Sequence, residues 1–172
     1  MVSAFRKSNN NLPATSVFFG VKTANQNIPT ASPAFLTWTK KFCSDHLYLR
    51  PDGLFLYADS NGQGWYKIRC RTTWAPNTTT AGYITLQLYK NGIAVSDSLS
   101  RTYAAAVATA YVNCTLDYII YLNKGDSIGI YATATTVQMN AQGNHCSLLL
   151  EGIGNQGWNN SEGGLTLYDR LV

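Results

Sequence analysis

Residues 64–74 have the sequence GWYKIRCRTTW, in which apolar and polar side chains alternate. The apolar and basic members of this alternation are Tyr66, Ile68 and Cys70 and, between them, Lys67, Arg69 and Arg71. A period of two puts alternate side chains on opposite faces of a β-strand, so one face enters a core while the other stays at the surface. The stretch therefore predicts a long, half-buried strand and favours an all-β fold.

The same period recurs along the chain. Short alternating runs are separated by turns rich in Gly, Asn and Asp, and Asn91 with Gly92 is a two-residue hairpin signal because both accept positive φ. Strands are predicted at 17–23, 35–42, 54–58, 65–74, 83–90, 93–95, 111–122, 128–135 and 146–153. Only residues 103–111 have a helix-forming composition. We therefore predict an antiparallel β-sandwich of the jelly-roll type with about ten strands.

The composition fits a single globular head and excludes several classes of function. Of the 172 residues, 45% are hydrophobic and only 13% are charged, and the net charge is +4. No run of Lys or Arg exceeds two residues, so no nucleic-acid partner is predicted. No stretch approaches the roughly 18 apolar residues of a spanning helix, and the start lacks an apolar signal region, so no membrane insertion is expected.

Three segments are expected. Residues 1–34 form an N-terminal arm that includes the first strand and docks on a partner, because a free polar arm frays. Residues 35–154 form the jelly-roll head, and residues 155–172 form a C-terminal tail. The apolar side chains of the tail indicate either a docking peptide or a further strand packed on the same domain: Trp158, Leu167 and Tyr168.

Residues 111–122 form the most apolar predicted strand. One side carries Leu116, Tyr118, Ile120 and Leu122, and the other carries Ile119 and Tyr121. A strand that is apolar on both faces must be covered on both faces. The sandwich core covers one face, and we expect another copy of the chain to cover the other. The candidates for lining an axis between copies are Tyr111, Tyr118 and Tyr121.

Four motifs stand in a recognisable order. They are GWYKIRC at 64–70, preceded by Phe55, then LQLYKNG at 86–92, YLNKGDSI at 121–128 and SLLLE at 147–151. Together they resemble the motifs of complement-type globular heads and tumour-necrosis-factor-like (TNF-like) proteins, although the last motif lacks the family's Phe and Gly. The resemblance implies a jelly roll of about ten strands, a tight homotrimer, and a binding head rather than an enzyme.

Lys67, Arg69 and Arg71 form a basic row on the polar face of their strand. A trimer would present this row three times, as a site for an anionic glycan or a partner protein such as a capsid. The alternative is cross-strand pairing, for example with Asp117 if its strand is a neighbour, as the resemblance implies. We favour the pairing.

The cysteines and histidines suggest packing rather than chemistry. Cys70, Cys114 and Cys146 share strand faces with apolar residues, so we predict reduced core thiols, although four cysteines could also pair as disulfides. His145 and Cys146 would point to opposite faces of a strand, which is incompatible with a tetrahedral zinc site.

The resemblance allows calcium at a trimer apex, but the sequence offers no ligand set, and no cofactor is predicted. No nucleophile–base motif is present, so no enzyme is predicted.

These observations together predict a non-enzymatic, trimeric surface protein of a phage virion. The missing signal region, low charge and expected free thiols fit assembly inside a cell. Such a protein would decorate the capsid or form a fibre or receptor-binding head, with other virion proteins and a cell-surface glycan as partners. Two alternatives stay open, a small jelly-roll capsid subunit and a secreted trimeric ligand or lectin-like recognition module. The expected location is the virion surface, or the extracellular space for the secreted alternative.

Overall fold

The structure, a computed structural model, describes residues 16–29, 34–59, 63–76, 81–105, 111–135 and 139–154. In these segments the chain forms β-strands and one short 3₁₀ helix at Ser96–Ser98. The strands are β1 (Val17–Val21), β2 (Gln26–Ile28), β3 (Ala34–Phe35), β4 (Thr39–Cys43), β5 (Leu47–Leu49), β6 (Leu56–Ala58), β7 (Gly64–Pro76), β8 (Gly82–Lys90), β9 (Ile93–Ala94), β10 (Ser100–Ala104), β11 (Val112–Leu122), β12 (Ser127–Ala134), β13 (Met139–Ala141) and β14 (Ser147–Gly154).

The strands pair into two antiparallel sheets. The first has the order β2-β13-β7-β14-β1-β4, and β11 also pairs with β7. The second has the order β10-β8-β12-β6-β5, with β3 paired to β12 and β9 paired to β8. The first sheet is thus organised around β7, which contacts β11 along one edge and β13 and β14 along the other.

Alternate side chains of the two sheets meet in one core. Tyr66, Ile68 and Cys70 of β7 are at most 2% exposed, and Leu116 of β11 and Leu86 of β8 are buried with them. Successive side chains on a pleated strand point alternately to the core and to the surface, so the apolar residues spaced two apart in the sequence are the buried ones. The predicted half-buried strand and the antiparallel all-β class are confirmed.

All four cysteines lie in the described segments and are free thiols. Cys70 and Cys114 are fully buried and Cys146 nearly so, as strand parity predicts. Burial raises the pKa of the Cys70 and Cys146 thiols, so they stay protonated at neutral pH. These thiols are packing groups, not nucleophiles.

The prediction of one strand at 35–42 is wrong. β3 belongs to the second sheet and β4 to the first, and the residues between them cross from one sheet to the other. Backbone hydrogen bonds fix the crossing, because Leu36 N–H donates to a carbonyl of β12 at 2.8 Å and Trp38 N–H donates to Gly53 O at 2.9 Å. Leu36 and Trp38 are both buried with strand-like spacing, so the pattern alone does not reveal the change of sheet.

Four short strands had no predicted counterpart, namely β2, β5, β10 and β13. Each has three to five residues, too few for a period of two to stand out. The stretch with helix-forming composition begins in β10 as a strand, and residues 106–110 of it lie outside the described segments.

The first strand of the predicted arm is an inner strand of the sandwich. β1 lies between β14 and β4, so residues 17–21 pack on the head itself. Residues 1–15 and 30–33 of the arm and residues 155–172 of the tail are outside the described part of the chain. No helix in the described part is long and apolar enough to cross a membrane.

Candidate functional site

The outward face of the first sheet brings several predicted site residues together. Antiparallel pairing aligns the side chains of neighbouring strands in rows. One row consists of Phe42, Phe19, Leu149, Arg69 and Asp117. The adjacent row consists of Val17, Glu151, Lys67 and Ile119. We call this surface, with Trp65, Arg71, Tyr121 and Ile153 at its ends, the first-sheet face.

Opposite charges meet across the strands of the first-sheet face. Arg69 Nε donates a hydrogen bond to Asp117 Oδ1 at 3.0 Å, and Lys67 lies across from Glu151 in the β7–β14 register. Arg71 has only hydroxyl side chains directly across from it. The structure therefore shows the predicted pairing of Arg69, whereas anion binding by the basic row stays a prediction. Because both partners are solvent-exposed, the Arg69–Asp117 pair adds little stability.

Apolar side chains flank these charges and remain open to solvent. Phe19 is 37% exposed, Phe42 56%, Trp65 42%, Ile119 53% and Ile153 50%. Single exposed apolar residues are common on proteins, but several gathered on one sheet face indicate a contact surface. The first-sheet face therefore has the composition of a surface that another protein covers.

The turn between β11 and β12 is built around a buried carboxylate. Asp126 is 9% exposed. Its carboxylate accepts hydrogen bonds from Asn123 N–H and Asn91 Nδ2 and pairs with Lys90 Nζ, each at 2.7 Å. Gly125 has a φ of 82°, and its N–H donates to a carbonyl at the end of β6 at 2.8 Å. The turn is thereby fastened to the β8–β9 hairpin and to β6.

Electrostatics agree with a structural role for this turn. Burial alone would raise the pKa of Asp126, but hydrogen bonds and the Lys90 charge outweigh burial and lower the pKa to about 2. An acid that is ionised, buried and bonded through both carboxylate oxygens has little room for a ligand or a proton transfer. The Lys124-Gly125-Asp126 turn therefore stabilises the sandwich rather than forming a binding site.

No protein-family model and no curated protein matches this sequence. Solved structures do match it in three dimensions. The crystal structure of murine APRIL at pH 5.0 superposes with a TM-score of 0.60 at 12% identity, covering 81% of this chain and 100% of that one. The structure of Eiger TNF from S. frugiperda superposes with a TM-score of 0.58 at 12% identity, covering 88% and 98%. The chain has the TNF-like jelly-roll fold.

The TNF-like jelly roll accounts for the motifs that carried the resemblance. GWYKIRC opens β7 in the middle of the first sheet, Asn91-Gly92 joins β8 to β9, and Gly125-Asp126 joins β11 to β12. At these identities the similarity establishes the fold and not the activity. The expected phage origin gains no support from the matching structures.

In this TNF-like jelly roll, the three tyrosines predicted to line an axis do not share one face. Tyr121 points outward, where its ring meets that of Trp65 edge to face with centroids 5.4 Å apart. Tyr118 has the opposite parity and packs half-buried against the core. Tyr111 precedes β11 and is 66% exposed. Tyr121 is thus the member of the set on the first-sheet face, and the axis itself stays a prediction.

The fold also contains a polar cleft that sequence reasoning missed. The cleft measures about 460 Å³ and lies between residues 22–26, 37–39 and 51–53. Lys22 in its wall is 2% exposed, and its Nζ donates to Gln26 Oε1 and, at 3.1 Å each, to the carbonyl and hydroxyl oxygens of Thr37. All three ammonium donors are used, so Lys22 holds the wall together rather than offering a free cation.

Lys22 should make stability depend on pH in the alkaline range. Desolvation lowers the pKa of Lys22 to about 8, below the usual lysine value near 10.4. The unfolded chain then binds more protons than the folded chain between these two values, so stability rises with pH there. We expect the free energy of unfolding of the wild type to rise between pH 8 and 10 relative to Lys22→Met, measured by urea unfolding. A constant difference between the two proteins would contradict this.

The described His, Cys and carboxylate side chains are not gathered into a metal site. Among the described residues, no group of three or more His, Cys, Asp or Glu could hold a metal ion. His46 Nδ1 lies 3.6 Å from Asp59 Oδ2, so the ring of His46 faces a carboxylate. The predicted tail residues lie outside the described segments: Trp158, Leu167 and Tyr168.

Proposed function

We propose that this chain is a non-enzymatic, homotrimeric recognition module that acts outside the cell as a ligand for another macromolecule. The observation that carries the proposal is the first-sheet face, where five large apolar side chains stay exposed around a charged centre. Isolated monomers rarely keep such a patch open to water. A second and a third copy of the chain are the occupants we assign to it.

The charges of the first-sheet face favour a copy of the same chain. The face carries three cations and two acids of its own, so both signs are available to pair across a closed ring of identical subunits. The resemblance of the four sequence motifs to TNF-like proteins implies that the ring has three subunits. A trimer would also multiply weak binding sites, because three sites that engage together bind more tightly than one.

The state of the charged groups favours binding over catalysis. Both carboxylate oxygens of Asp126 are engaged, by Lys90, Asn91 and Asn123, and Lys22 uses every donor. Groups that catalyse need a free proton or lone pair within reach of a substrate. The fold shared with murine APRIL and Eiger TNF supports the secreted-ligand alternative more than the virion-surface role. The virion role stays a prediction that no feature of the described surface favours.

Charge inserted into the first-sheet face should break the assembly. We expect the wild type to scatter light as three times the 18.9 kDa chain mass, and Ile119→Arg to shift to monomer because it buries a cation beside Lys67 in the interface. Size-exclusion chromatography with multi-angle light scattering gives the masses.

Ile93→Arg is the matched control. Ile93 is 73% exposed on β9 of the second sheet, away from the first-sheet face. The control should remain trimeric with an unchanged melting temperature. A wild type that stays monomeric at high protein concentration, or a trimer that Ile119→Arg leaves intact, would refute the proposed interface.

A further inference from the structure

The outward face of the second sheet carries an ordered group of aromatic and hydroxyl side chains. The register of β10, β8 and β12 places Tyr103 beside Tyr83 and, one row along, Arg101 beside Thr85 and Thr133. Thr135 completes the first row, because its N–H donates to Tyr83 O at 3.1 Å and its hydroxyl accepts from Tyr83 N–H at 3.0 Å. We call these six residues the tyrosine grid.

The rings of the tyrosine grid are both exposed and held in place. Tyr83 is 39% exposed and Tyr103 is 55% exposed. Their ring centroids lie 5.3 Å apart at an interplanar angle of 63°, and the Arg101 guanidinium lies 3.8 Å from the centroid of the Tyr83 ring. The rings lie on paired strands and have few rotatable bonds. Little side-chain entropy of the protein is therefore lost when a ligand stacks on them.

The charge of the tyrosine grid is unbalanced. Arg101 is its one charged member, and within the described segments no carboxylate lies within ion-pair distance of Arg101. Arg69 and Arg50 differ in this respect, since each is paired with an aspartate. A guanidinium that rests on an aromatic ring keeps its outer N–H donors free, and their planar fork matches a carboxylate.

An aromatic surface continues along the same sheet. Tyr89 and Tyr131 stack with centroids 4.0 Å apart, and Phe35 packs against Tyr131. The distance along β8 from Tyr83 to Tyr89 is about 20 Å at the usual rise of a strand. This length exceeds one sugar ring and suits an extended chain.

We propose that the tyrosine grid binds an acidic polysaccharide whose sugars carry carboxylates. The C–H faces of the sugar rings stack on Tyr83 and Tyr103, the sugar hydroxyls exchange hydrogen bonds with the threonine hydroxyls, and one carboxylate pairs with Arg101. Protein interfaces also use Tyr and Arg, but the three threonines beside the rings offer hydroxyl groups of the kind that sugars bind rather than a large aliphatic side chain to bury. The inference names a ligand for the proposed recognition module but needs one chain only, so it does not depend on trimer formation.

The test uses oligogalacturonate as the probe, with calorimetric titration of the full chain. Arg101→Gln and Tyr103→Ala should each weaken binding roughly tenfold, the usual effect of losing one charge-assisted hydrogen bond or one stacked ring. An uncharged malto-oligosaccharide should bind much more weakly than the uronate. Melting temperatures should match the wild type, because both side chains are exposed.

Two control variants separate the grid from the protein's general positive charge. Lys40→Gln removes an exposed cation from β4 in the other sheet, and Tyr48→Ala removes a 56% exposed ring from β5 at the opposite edge of the same sheet. Both should bind within about twofold of the wild type. Failure of the wild type to bind the uronate, or equal losses in the controls, would overturn the proposal.

Two further readouts complete the test. Dextran sulfate that binds as tightly as the uronate, with no loss in Arg101→Gln, would indicate attraction to net charge only and would also overturn the proposal. Light scattering on the same samples reports the oligomeric state. A trimer that ignores the uronate refutes the grid alone, and a monomer that binds it refutes the trimer alone.

Discussion

Asp126→Ala is expected to lower the free energy of unfolding by about 3 kcal/mol at neutral pH. The substitution removes three contacts at 2.7 Å and leaves the Lys90 ammonium, whose side chain is 26% exposed, without its counter-charge. Breaking a buried pair costs more than the pair contributes, because the remaining charge stays desolvated. Urea unfolding measures the loss, and Asp45→Ala, which removes an exposed acid, should be nearly neutral.

The same carboxylate gives this prediction a pH signature. The pKa of Asp126 is lowered to about 2 in the folded chain, against about 3.9 for an unfolded aspartate. Its stabilisation, about 3 kcal/mol, is therefore complete above about pH 5 and is lost as pH falls through 4 toward 2 and below. The stability difference between wild type and Asp126→Asn should shrink over that range. A loss of ligand binding by Asp126→Ala with unchanged melting would instead make the turn a binding site.

Gly53→Ala should cost about 3 kcal/mol, or prevent folding at elevated temperature. Gly53 has a φ of +73°, and a Cβ at this position would lie 2.5 Å from the Trp38 carbonyl oxygen. The neighbour is backbone and is held in place by the hydrogen bond from Trp38 N–H to Gly53 O at 2.9 Å. The collision therefore cannot be relieved by a side-chain rotation. Thermal unfolding measures the effect.

Gly92→Ala separates the two causes of that loss. Gly92 has a φ of +78° but nothing within 4 Å of an added Cβ, so its substitution carries only the backbone cost of about 1 kcal/mol. The difference between the two variants is the cost of the collision with Trp38. Equal losses at Gly53 and Gly92 would show that the chain relaxes around the extra methyl group.

The sequence predicts most long strands because their alternation is strong. Tyr66, Ile68 and Cys70 occupy the core as their spacing indicates, and β8, β11, β12 and β14 lie within a few residues of their predicted positions. The pattern does not say which sheet a strand joins. The chain therefore changes sheets between β3 and β4 inside a run that looks continuous, and only contacts to Gly53 and β12, distant in sequence, fix that crossing.

The candidate surfaces were predictable only in part. Arg69 and Asp117 could be matched because their strands are long neighbours with a fixed register. The sequence does not predict the tyrosine grid, since the grid depends on pairing of β8 with the short strand β10, whose five residues carry no clear alternation. Strand parity places Tyr118 and Tyr121 on opposite faces of β11, so the sequence alone is enough to separate them.

The place of β14 in the first sheet has a consequence for synthesis. β14 lies between β1 and β7, so the earliest described strand finds one of its two neighbours only after the last described strand has left the ribosome. Until then β1 and β7 of a nascent chain each have one edge whose hydrogen-bonding groups lack their β14 partner. Such edges are prone to pairing with other chains. Slow translation of the preceding segments would lengthen that interval, so yield in the cell should respond to elongation rate and to chaperone supply more than equilibrium stability suggests.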